Sequence, residues 1–314
     1  MVNLQKNIPL SKFSNYKIGG PAKMFAEVGS VEELLELGEL IPTFSRTLEQ
    51  RVFILGGGTN LLISDEGFDG LVIHNKINGI QIQGSTLTVG SGVLVSDLLK
   101  FCIANSLSGL EWAGGLPGTV GGAVRGNAGA FKGETKDSVI KVQSSKLKVK
   151  SEITRNNEEC QFGYRNSVFK LGEGKEEFIT SVIFDLKPGD KEEIQKNISE
   201  KIDYRNLKHP MDFPNIGSTF KNIPLDVLSE EQRVEFASFV KTDPFPVVPT
   251  TKLLAIAGLK GKRIGGAMIS DKHPNFIINV DNAKAEDVKA LIKIAKDTIL
   301  QKYGITLEEE IVYL

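Results

Sequence analysis

Two clusters of glycine constrain the fold of this chain more than any other feature of its sequence. The first, Gly56-Gly57-Gly58, directly follows an apolar segment, and the second places seven glycines between residues 114 and 129. Because glycine has no Cβ, its backbone can turn tightly and its amide can approach an anion closely. A tight turn would explain either cluster alone, but the two together favour an extended diphosphate ligand.

The first cluster differs from the common nucleotide-binding motifs. It lacks the lysine of the GxxxxGK[ST] loop, which disfavours a nucleoside triphosphatase. It also joins two strand-like segments and does not open a helix, as the dinucleotide fingerprint of a doubly wound fold would. These two exclusions leave a diphosphate-binding protein with a different α+β architecture as the favoured class.

The composition is that of an ordinary globular protein. Of the 314 residues, 40% are hydrophobic and 25% are charged, so the chain can bury sizeable cores, and its length favours about two domains. The net charge of -1 leaves no overall field to hold nucleic acid or an anionic membrane. The only cysteines, Cys102 and Cys160, and the three histidines lack metal-ligand spacing, so we expect no metal. No segment resembles a membrane span or a signal peptide, which favours a soluble, cytoplasmic protein.

Helical and strand-like patterns alternate along the chain and predict an α+β fold. Residues 1–189 contain both glycine clusters, and a polar helix that begins near residue 190 leads into a second α+β domain, residues 190–314. This second domain contains an amphipathic helix with a glycine stop at Gly304. We predict that the last segment, residues 305–314, is one strand.

Several motifs, in order along nearly the whole chain, together resemble one family. They are NYKIGGPA (15–22), LGGGTNLL (55–62), GLEWAGGLPGTVGGAVRGNAGAF (109–131), CQFGYRNSVFK (160–170), GSTFKN (217–222), GLKGKRIGGAMISDKHPNFIIN (258–279) and LEEEI (307–311). This series is similar to the UDP-N-acetylenolpyruvoylglucosamine reductases, the flavoenzymes that complete UDP-N-acetylmuramate for bacterial peptidoglycan.

The resemblance implies a fold, an activity and a cofactor. The expected fold is a two-lobed FAD-binding domain of the vanillyl-alcohol-oxidase type, with lobes of about 1–80 and 81–189, followed by the smaller substrate-binding domain. The expected enzyme is a monomer that takes hydride from NADPH onto FAD and then reduces the enolpyruvyl group of UDP-N-acetylglucosamine enolpyruvate. Its partners would be these small molecules, without nucleic acid or membrane.

The same resemblance assigns the FAD-binding residues. They lie in an N-terminal segment that closes over the cofactor, in both glycine loops and in the stretch that approaches the flavin ring. They are Ile18, Gly19, Gly56, Gly57, Gly58, Thr59, Asn60, Gly118, Thr119, Val120, Gly121, Gly122, Asn127, Ala128 and Gly129.

Three catalytic residues follow from matching motifs. Ser218 matches the proton donor, Arg165 matches the residue that meets the substrate carboxylate, and Glu310 matches the acidic partner of that arrangement. Reduction of an enol ether needs a proton at the carbon that bears the carboxylate, and a guanidinium suits a carboxylate on which charge develops. In a strand, Glu308 and Glu310 share a face that Glu309 does not, and this argument does not rank the two.

Substrate-binding residues are assigned around these motifs. They are Tyr164, Lys208, Lys221 and Asn222, of which Lys208 is the preferred partner for the substrate diphosphate. The segment 223–251 is longer than in compact family members and contains Phe236, Phe239 and Phe245 but no tyrosine. A helix followed by a proline-rich loop is favoured there over a substrate lid.

Two other functions remain open at this point. The flavin loops would also suit another FAD oxidase or dehydrogenase that acts on an alcohol or lactone. A flavin-free protein that binds a sugar nucleotide belongs to a different class, and a bound yellow cofactor would exclude it. Arg165, Ser218 and Glu310 disfavour both alternatives, because neither requires all three motifs.

Overall fold

The computed structural model describes residues 2–44, 51–146, 149–243 and 245–314. The chain divides into two compact units. Unit 1 comprises the chain up to Ile8, Ala22–Gly57 and Phe68–Asp203, and unit 2 comprises Pro9–Pro21, Gly58–Gly67 and Tyr204–Leu314. This division differs from a boundary at residue 190, because residues 190–203 belong to unit 1 and two N-terminal stretches belong to unit 2.

Helices and strands alternate throughout the described chain. The helices are α1 Val31–Phe44, α2 Val95–Ala104, α3 Val120–Gly126, α4 Val168–Leu171, α5 Lys191–Lys208, α6 Glu230–Glu235, α7 Thr250–Ile256 and α8 Ala285–Tyr303. The strands are β1 Gln5–Pro9, β2 Pro21–Val28, β3 Val52–Leu55, β4 Leu61–Leu62, β5 Phe68–Asn75, β6 Ile80–Gln83, β7 Thr86–Gly90, β8 Leu107–Ser108, β9 Gly129–Ala130, β10 Gly133–Glu134, β11 Val139–Lys146, β12 Val149–Asn156, β13 Glu177–Asp185, β14 Lys187–Pro188, β15 Ile223–Pro224, β16 Val247–Val248, β17 Arg263–Ile264, β18 Ala267–Ile269, β19 Ile277–Asn279 and β20 Val312–Tyr313.

The first sheet of unit 1 has the strand order β1-β2-β5-β3, with β5 parallel to both β2 and β3. The central strand carries a continuous buried apolar run, Leu71 to Ile73, as expected for a parallel strand covered on both faces. Leu34 and Leu37 of α1 belong to the same core cluster as this run. The first glycine cluster begins where β3 ends, at Leu55.

The second sheet of unit 1 is antiparallel, with the strand order β12-β11-β13-β7-β6. Its core joins Val89 and Val182 of the sheet to Leu98 of α2 and Val124 of α3. The short helix α3 therefore rests on this sheet through its apolar side chains. The second glycine cluster immediately precedes α3 and continues through it, so this packing fixes the position of the cluster.

A buried ion pair joins two strands of the second sheet. Arg155 of β12 makes two bonds to Glu177 of β13, with Nη2 to Oε1 at 2.7 Å and Nε to Oε2 at 3.2 Å. The Glu177 side chain is only 1% exposed, and the Ser144 hydroxyl also donates to it at 2.7 Å. Burial alone would raise the pKa of Glu177, but the bonds from Arg155 and Ser144 and the charge of Arg155 outweigh burial and lower it.

Unit 2 is built around α8 and the three-stranded sheet β17-β18-β19. Val288, Leu291 and Ile292 of α8 share one core with Ile269 and Ile277 of the sheet. The helix ends at Gly304, whose φ of 66° is the left-handed conformation of a helix C-cap, as the sequence predicts. Among the described residues, no helix is long and apolar enough to cross a membrane.

The described residues of the segment 223–251 pack onto this core. It contains β15, the short helix α6 and β16, and β15 pairs with β16. Phe236 is 1% exposed, its ring centroid lies 5.4 Å from that of Tyr303, and Phe239 is packed against the same cluster. Phe236 therefore packs in the core of unit 2, and its ring has almost no accessible surface with which to contact a substrate.

Candidate active site

The two glycine clusters meet within unit 1. A Cβ on Gly57 would lie 2.7 Å from the Cα of Gly118, and a Cβ on Gly56 would lie 2.7 Å from Oγ1 of Thr119. Real Cβ atoms do not approach other heavy atoms so closely. Gly57 lies against backbone and therefore needs to be glycine, whereas Gly56 lies against the Thr119 side chain, which would have to move to admit a Cβ. The clusters are about sixty residues apart in the sequence, and only the fold brings them together.

Thr119 starts α3 and orders the second cluster. Its backbone is extended, and its Oγ1 accepts a hydrogen bond from the amide of Gly122 at 3.3 Å. Val120 and Gly121 are buried behind this turn, whereas Gly57 and Gly122 are exposed. The exposed edge thus presents backbone without Cβ atoms, which fits the diphosphate of FAD.

The rest of the first cluster belongs to unit 2. Gly58 has a φ of 63°, and a Cβ there would lie 1.8 Å from the carbonyl oxygen of Phe13. Beyond Thr59, Asn60 Nδ2 donates to the Glu310 carbonyl at 3.1 Å. The buried Ile18 lies in the unit 2 core, and Gly19 lies against Ile63. These predicted FAD residues are thus tied to the N-terminal segment and to the C-terminus of the chain.

Arg165 lies at the tip of a two-residue turn in unit 1. Gly163 and Asn166 exchange backbone hydrogen bonds at 3.0 and 3.1 Å, with Tyr164 and Arg165 between them. The Arg165 guanidinium lies over the Tyr164 ring, 5.1 Å from its centroid, and Nη2 donates to the Gly129 carbonyl at 2.8 Å. The structure thus brings together three predicted residues from the second glycine cluster and the FGYR motif.

Ser218 lies in a segment of unit 2 that is fixed by Asn275. The carbonyl and side-chain oxygens of Asn275 accept from the amides of Thr219 at 2.7 Å and Phe220 at 3.0 Å, and its Nδ2 donates to the Phe220 carbonyl at 2.8 Å. Gly217, before Ser218, has a φ of 83°. Sequence reasoning did not assign a role to Asn275, although it belongs to the HPNF part of a recognised motif.

The three glutamates near the C-terminus have different partners. The Glu310 amide donates to the Thr219 carbonyl at 2.8 Å, which places Glu310 beside the Ser218 segment. Glu308 pairs with Lys221, whereas Glu309 accepts from Lys296 at 2.8 Å and from the Tyr313 hydroxyl. Glu308 and Glu309 thus point to separate surroundings, as alternation along an extended segment requires.

The predicted strand over residues 305–314 is wrong in its extent. Only Val312–Tyr313 forms a strand, parallel to β4, and a single antiparallel bridge joins Glu309 to Phe220. Residues 305–311 are irregular because their hydrogen bonds go to the Ser218 segment and to Asn60 instead of to one continuous strand. Sequence periodicity cannot distinguish these two patterns of pairing.

The candidate substrate residues differ in their surroundings. Lys221 is held through its amide by the Glu308 carbonyl and through its side chain by the Glu308 carboxylate. Asn222 Oδ1 accepts from the Thr250 amide at 3.3 Å. Lys208 is the exposed last residue of α5, and Tyr164 belongs to the turn of unit 1. An exposed ammonium such as that of Lys208 suits a diphosphate.

Two histidines of unit 2 pack against each other. The rings of His209 and His273 have centroids 5.2 Å apart, and both contact Phe276. Burial is the main cause that lowers the pKa of each to about 4, so both are neutral at neutral pH. Within the described ranges, no group of three or more His, Cys, Asp or Glu side chains is placed to hold a metal ion.

Comparison with known proteins identifies the class of protein and then its family. Residues 22–145 match the family model of the FAD binding domain, so the chain is an FAD-binding protein, and the predicted fold class is confirmed. Residues 209–314 match the C-terminal domain of UDP-N-acetylenolpyruvoylglucosamine reductase.

Full-length relatives agree with both matches. The chain is 36% identical over 310 residues to the UDP-N-acetylenolpyruvoylglucosamine reductase of Caldanaerobacter subterraneus, covering 98% of this chain and 92% of that protein. It is 37% identical over 312 residues to that of Carboxydothermus hydrogenoformans, with the same coverages. The crystal structure of the Thermus caldophilus reductase superposes with a TM-score of 0.75 at 30% identity, covering 100% of this chain and 98% of the other. The chain belongs to the UDP-N-acetylenolpyruvoylglucosamine reductase family, as predicted.

The contact between the glycine clusters leads to a testable prediction. We expect Gly57→Ala to weaken FAD binding about tenfold to hundredfold, because its Cβ forces the loops apart and such overpacking costs roughly 1–3 kcal/mol. Titration of the apoprotein with FAD, followed by fluorescence, measures the affinity. Gly126→Ala is the matched control, because a Cβ there meets nothing within 4 Å and the residue has no positive φ. Equal FAD affinity in the two variants would contradict the assignment.

Proposed function

We propose that this protein reduces the enolpyruvyl group of UDP-N-acetylglucosamine enolpyruvate to give UDP-N-acetylmuramate, with NADPH as the source of electrons. The observation that carries the proposal is the hydrogen bond between the Glu310 amide and the Thr219 carbonyl, at 2.8 Å. This bond ties the C-terminal acid to the segment of the candidate proton donor. An FAD oxidase acting on an alcohol or a lactone has no need for a proton donor and an acid in this arrangement.

The flavin, when bound, supplies the hydride, and the chain supplies the proton and the charge stabilisation. Ser218 donates a proton to the carbon that bears the substrate carboxylate. Arg165 meets that carboxylate, where negative charge grows as hydride arrives at the neighbouring carbon. Glu310 is the acidic partner in this arrangement. Each of these groups acts in the step that reduces the enol ether, and none is needed for oxidation of NADPH.

The cofactor and the sugar nucleotide are assigned to different groups of residues. The exposed backbone of Gly57 and Gly122 binds the FAD diphosphate, together with the remaining residues of both glycine loops. Lys208 binds the substrate diphosphate, with Tyr164, Lys221 and Asn222 contacting the nucleotide or sugar. We also propose that the protein works in the cytoplasm as a monomer and independently of nucleic acid, and that residues 1–189 and 190–314 are its folding domains.

An absorbance experiment with the purified protein tests the function. We expect a flavin band that anaerobic NADPH bleaches and that UDP-N-acetylglucosamine enolpyruvate restores. If only oxygen restores the band, the protein is another FAD oxidase or dehydrogenase, and the substrate assignment fails. If the protein neither contains flavin nor binds added FAD, it is a flavin-free binding protein and the cofactor assignment also fails.

A further inference from the structure

The turn that carries Arg165 has a strained backbone. Arg165 has a φ of 55°, in the left-handed region that residues other than glycine rarely adopt. It is the second central residue of the turn, where a positive φ is usually supplied by glycine. Such a conformation costs about 1–3 kcal/mol and persists only where surrounding contacts hold it. The contacts of this turn therefore decide where the guanidinium is aimed.

Asn127 holds one side of the turn. It caps α3 with a φ of 41° and is fully buried. Its Nδ2 donates to the Gly163 carbonyl at 2.9 Å, and its Oδ1 accepts from the Lys136 amide at 3.1 Å. A side chain with no accessible surface cannot touch a ligand. The side-chain amide of Asn127 therefore binds backbone groups of the protein and does not contact the cofactor directly.

Lys170 holds the other side of the turn. Its Nζ donates to the carbonyl oxygen of Arg165 at 2.9 Å, so an ammonium fixes the peptide group that follows the strained residue. Lys170 is carried by α4, which Ser167 caps. The Ser167 hydroxyl in turn donates to the Arg125 carbonyl at 2.8 Å, in the last turn of α3. The turn is thus fastened at both sides to the end of α3.

We propose that Asn127 and Lys170 are positioning residues that hold the Arg165 turn in its strained conformation and so aim the guanidinium at the substrate carboxylate. The inference rests on the proposed function, because Arg165 acts only in the reduction of the enol ether. Loss of either contact lets the turn relax, and a small displacement of a catalytic group is enough to slow a reaction greatly.

Lys170→Met gives the most direct test, because its side chain is only partly buried and the substitution keeps the length of the aliphatic chain. We expect flavin reoxidation by the enol ether, followed by stopped flow, to slow about tenfold to hundredfold. Flavin reduction by NADPH should keep its wild-type rate, and Lys170→Arg should restore most of the reoxidation rate. Lys175→Met is the matched control, an exposed lysine on the neighbouring turn, and should behave like the wild type.

A double-mutant cycle separates positioning from general damage. In an Arg165→Met background, Lys170→Met should change reoxidation by less than about twofold, because the group that it positions is absent. Asn127→Gly, which permits the left-handed backbone and removes both side-chain bonds, should likewise slow flavin reoxidation by the enol ether.

Three results would overturn the inference. In the first, Lys170→Met slows flavin reduction and flavin reoxidation equally. In the second, Lys170→Met slows reoxidation by the same factor whether or not Arg165 is present. In the third, the Lys170→Met protein is reoxidised as fast as the Lys175→Met protein. Failure of the proposed function is distinct from these results, since the enol ether would then not reoxidise the flavin of the wild-type protein.

Discussion

Ser218→Ala is expected to slow flavin reoxidation by the enol ether by about 10² to 10⁴, because a positioned proton donor contributes roughly that factor. Flavin reduction by NADPH should be unchanged, since the serine takes no part in it. The backbone should also keep its conformation, because Asn275 holds the next two residues through their amides and not through Ser218. Stopped-flow absorbance under anaerobic conditions measures the two half-reactions separately.

Ser238→Ala is the matched control for this experiment. Ser238 is an exposed serine of the same unit, in the segment after α6, and has no part in the candidate site. Both variants should keep the thermal unfolding temperature of the wild type. A Ser218→Ala protein that is reoxidised as fast as Ser238→Ala would remove Ser218 from the mechanism and leave the proton to another donor.

Arg155→Met is expected to lower the free energy of unfolding by about 3–5 kcal/mol near neutral pH, because it leaves the buried carboxylate of Glu177 without its charged partner. The two groups make a bidentate pair, and the Arg155 side chain is itself only 14% exposed. Urea unfolding at fixed pH measures the difference. The second sheet of unit 1 should lose most of the stability, since the pair joins β12 to β13.

The pH dependence of this variant has a definite sign. In the wild type the pKa of Glu177 is lowered, so the stability from this group is complete above the ordinary glutamate pKa of 4.5 and is lost as pH falls through the folded-state pKa. Removing Arg155 takes away its bonds and its charge but leaves the burial, so the pKa of Glu177 should be higher in the variant than in the wild type. The cost of the buried charge then shrinks as the group protonates. The difference in free energy of unfolding between wild type and variant should therefore become smaller as the pH falls.

Arg51→Met provides the control for the ion pair. Arg51 pairs with Asp69 at 3.3 Å, but both side chains are more than 60% exposed. Exposed pairs contribute at most about 1 kcal/mol, so this substitution should have little effect at any pH. If Arg51→Met and Arg155→Met lowered the free energy of unfolding equally, burial of Glu177 would not be the cause of the loss in stability.

The C-terminal glutamates show how far sequence reasoning reaches in the candidate site. In an extended segment, the side chain of Glu309 should face away from those of Glu308 and Glu310. The structure shows this for Glu308 and Glu309, whose side chains have different partners. The local pattern cannot tell Glu308 from Glu310. Their partners come from elsewhere in the chain: Lys221 engages Glu308, and the carbonyl of Thr219 fixes the backbone of Glu310.

Asn127 shows a different limit. Its motif predicts a position next to the flavin, but its burial and its bonds to Gly163 and Lys136 are properties of the folded backbone. An asparagine can cap a helix, contact a ligand or hold a turn with the same side chain. Which of these it does depends on the groups that the fold places around its amide, and these lie nine and thirty-six residues away in the sequence.

The sequence by itself determined the family of this protein and part of its local structure. Helix α8 with its stop at Gly304 and the glycine clusters follow from periodicity and from the conformational freedom of single residues. Only the tertiary structure decided that Gly57 lies against Gly118 and that Asn127 and Lys170 hold the turn of Arg165. The physical reason is that the contacts of Gly57 and Asn127 join segments far apart along the chain. Lys170 is only five residues from Arg165, but the helix that carries it begins at Ser167, whose hydroxyl bonds to the distant Arg125 carbonyl.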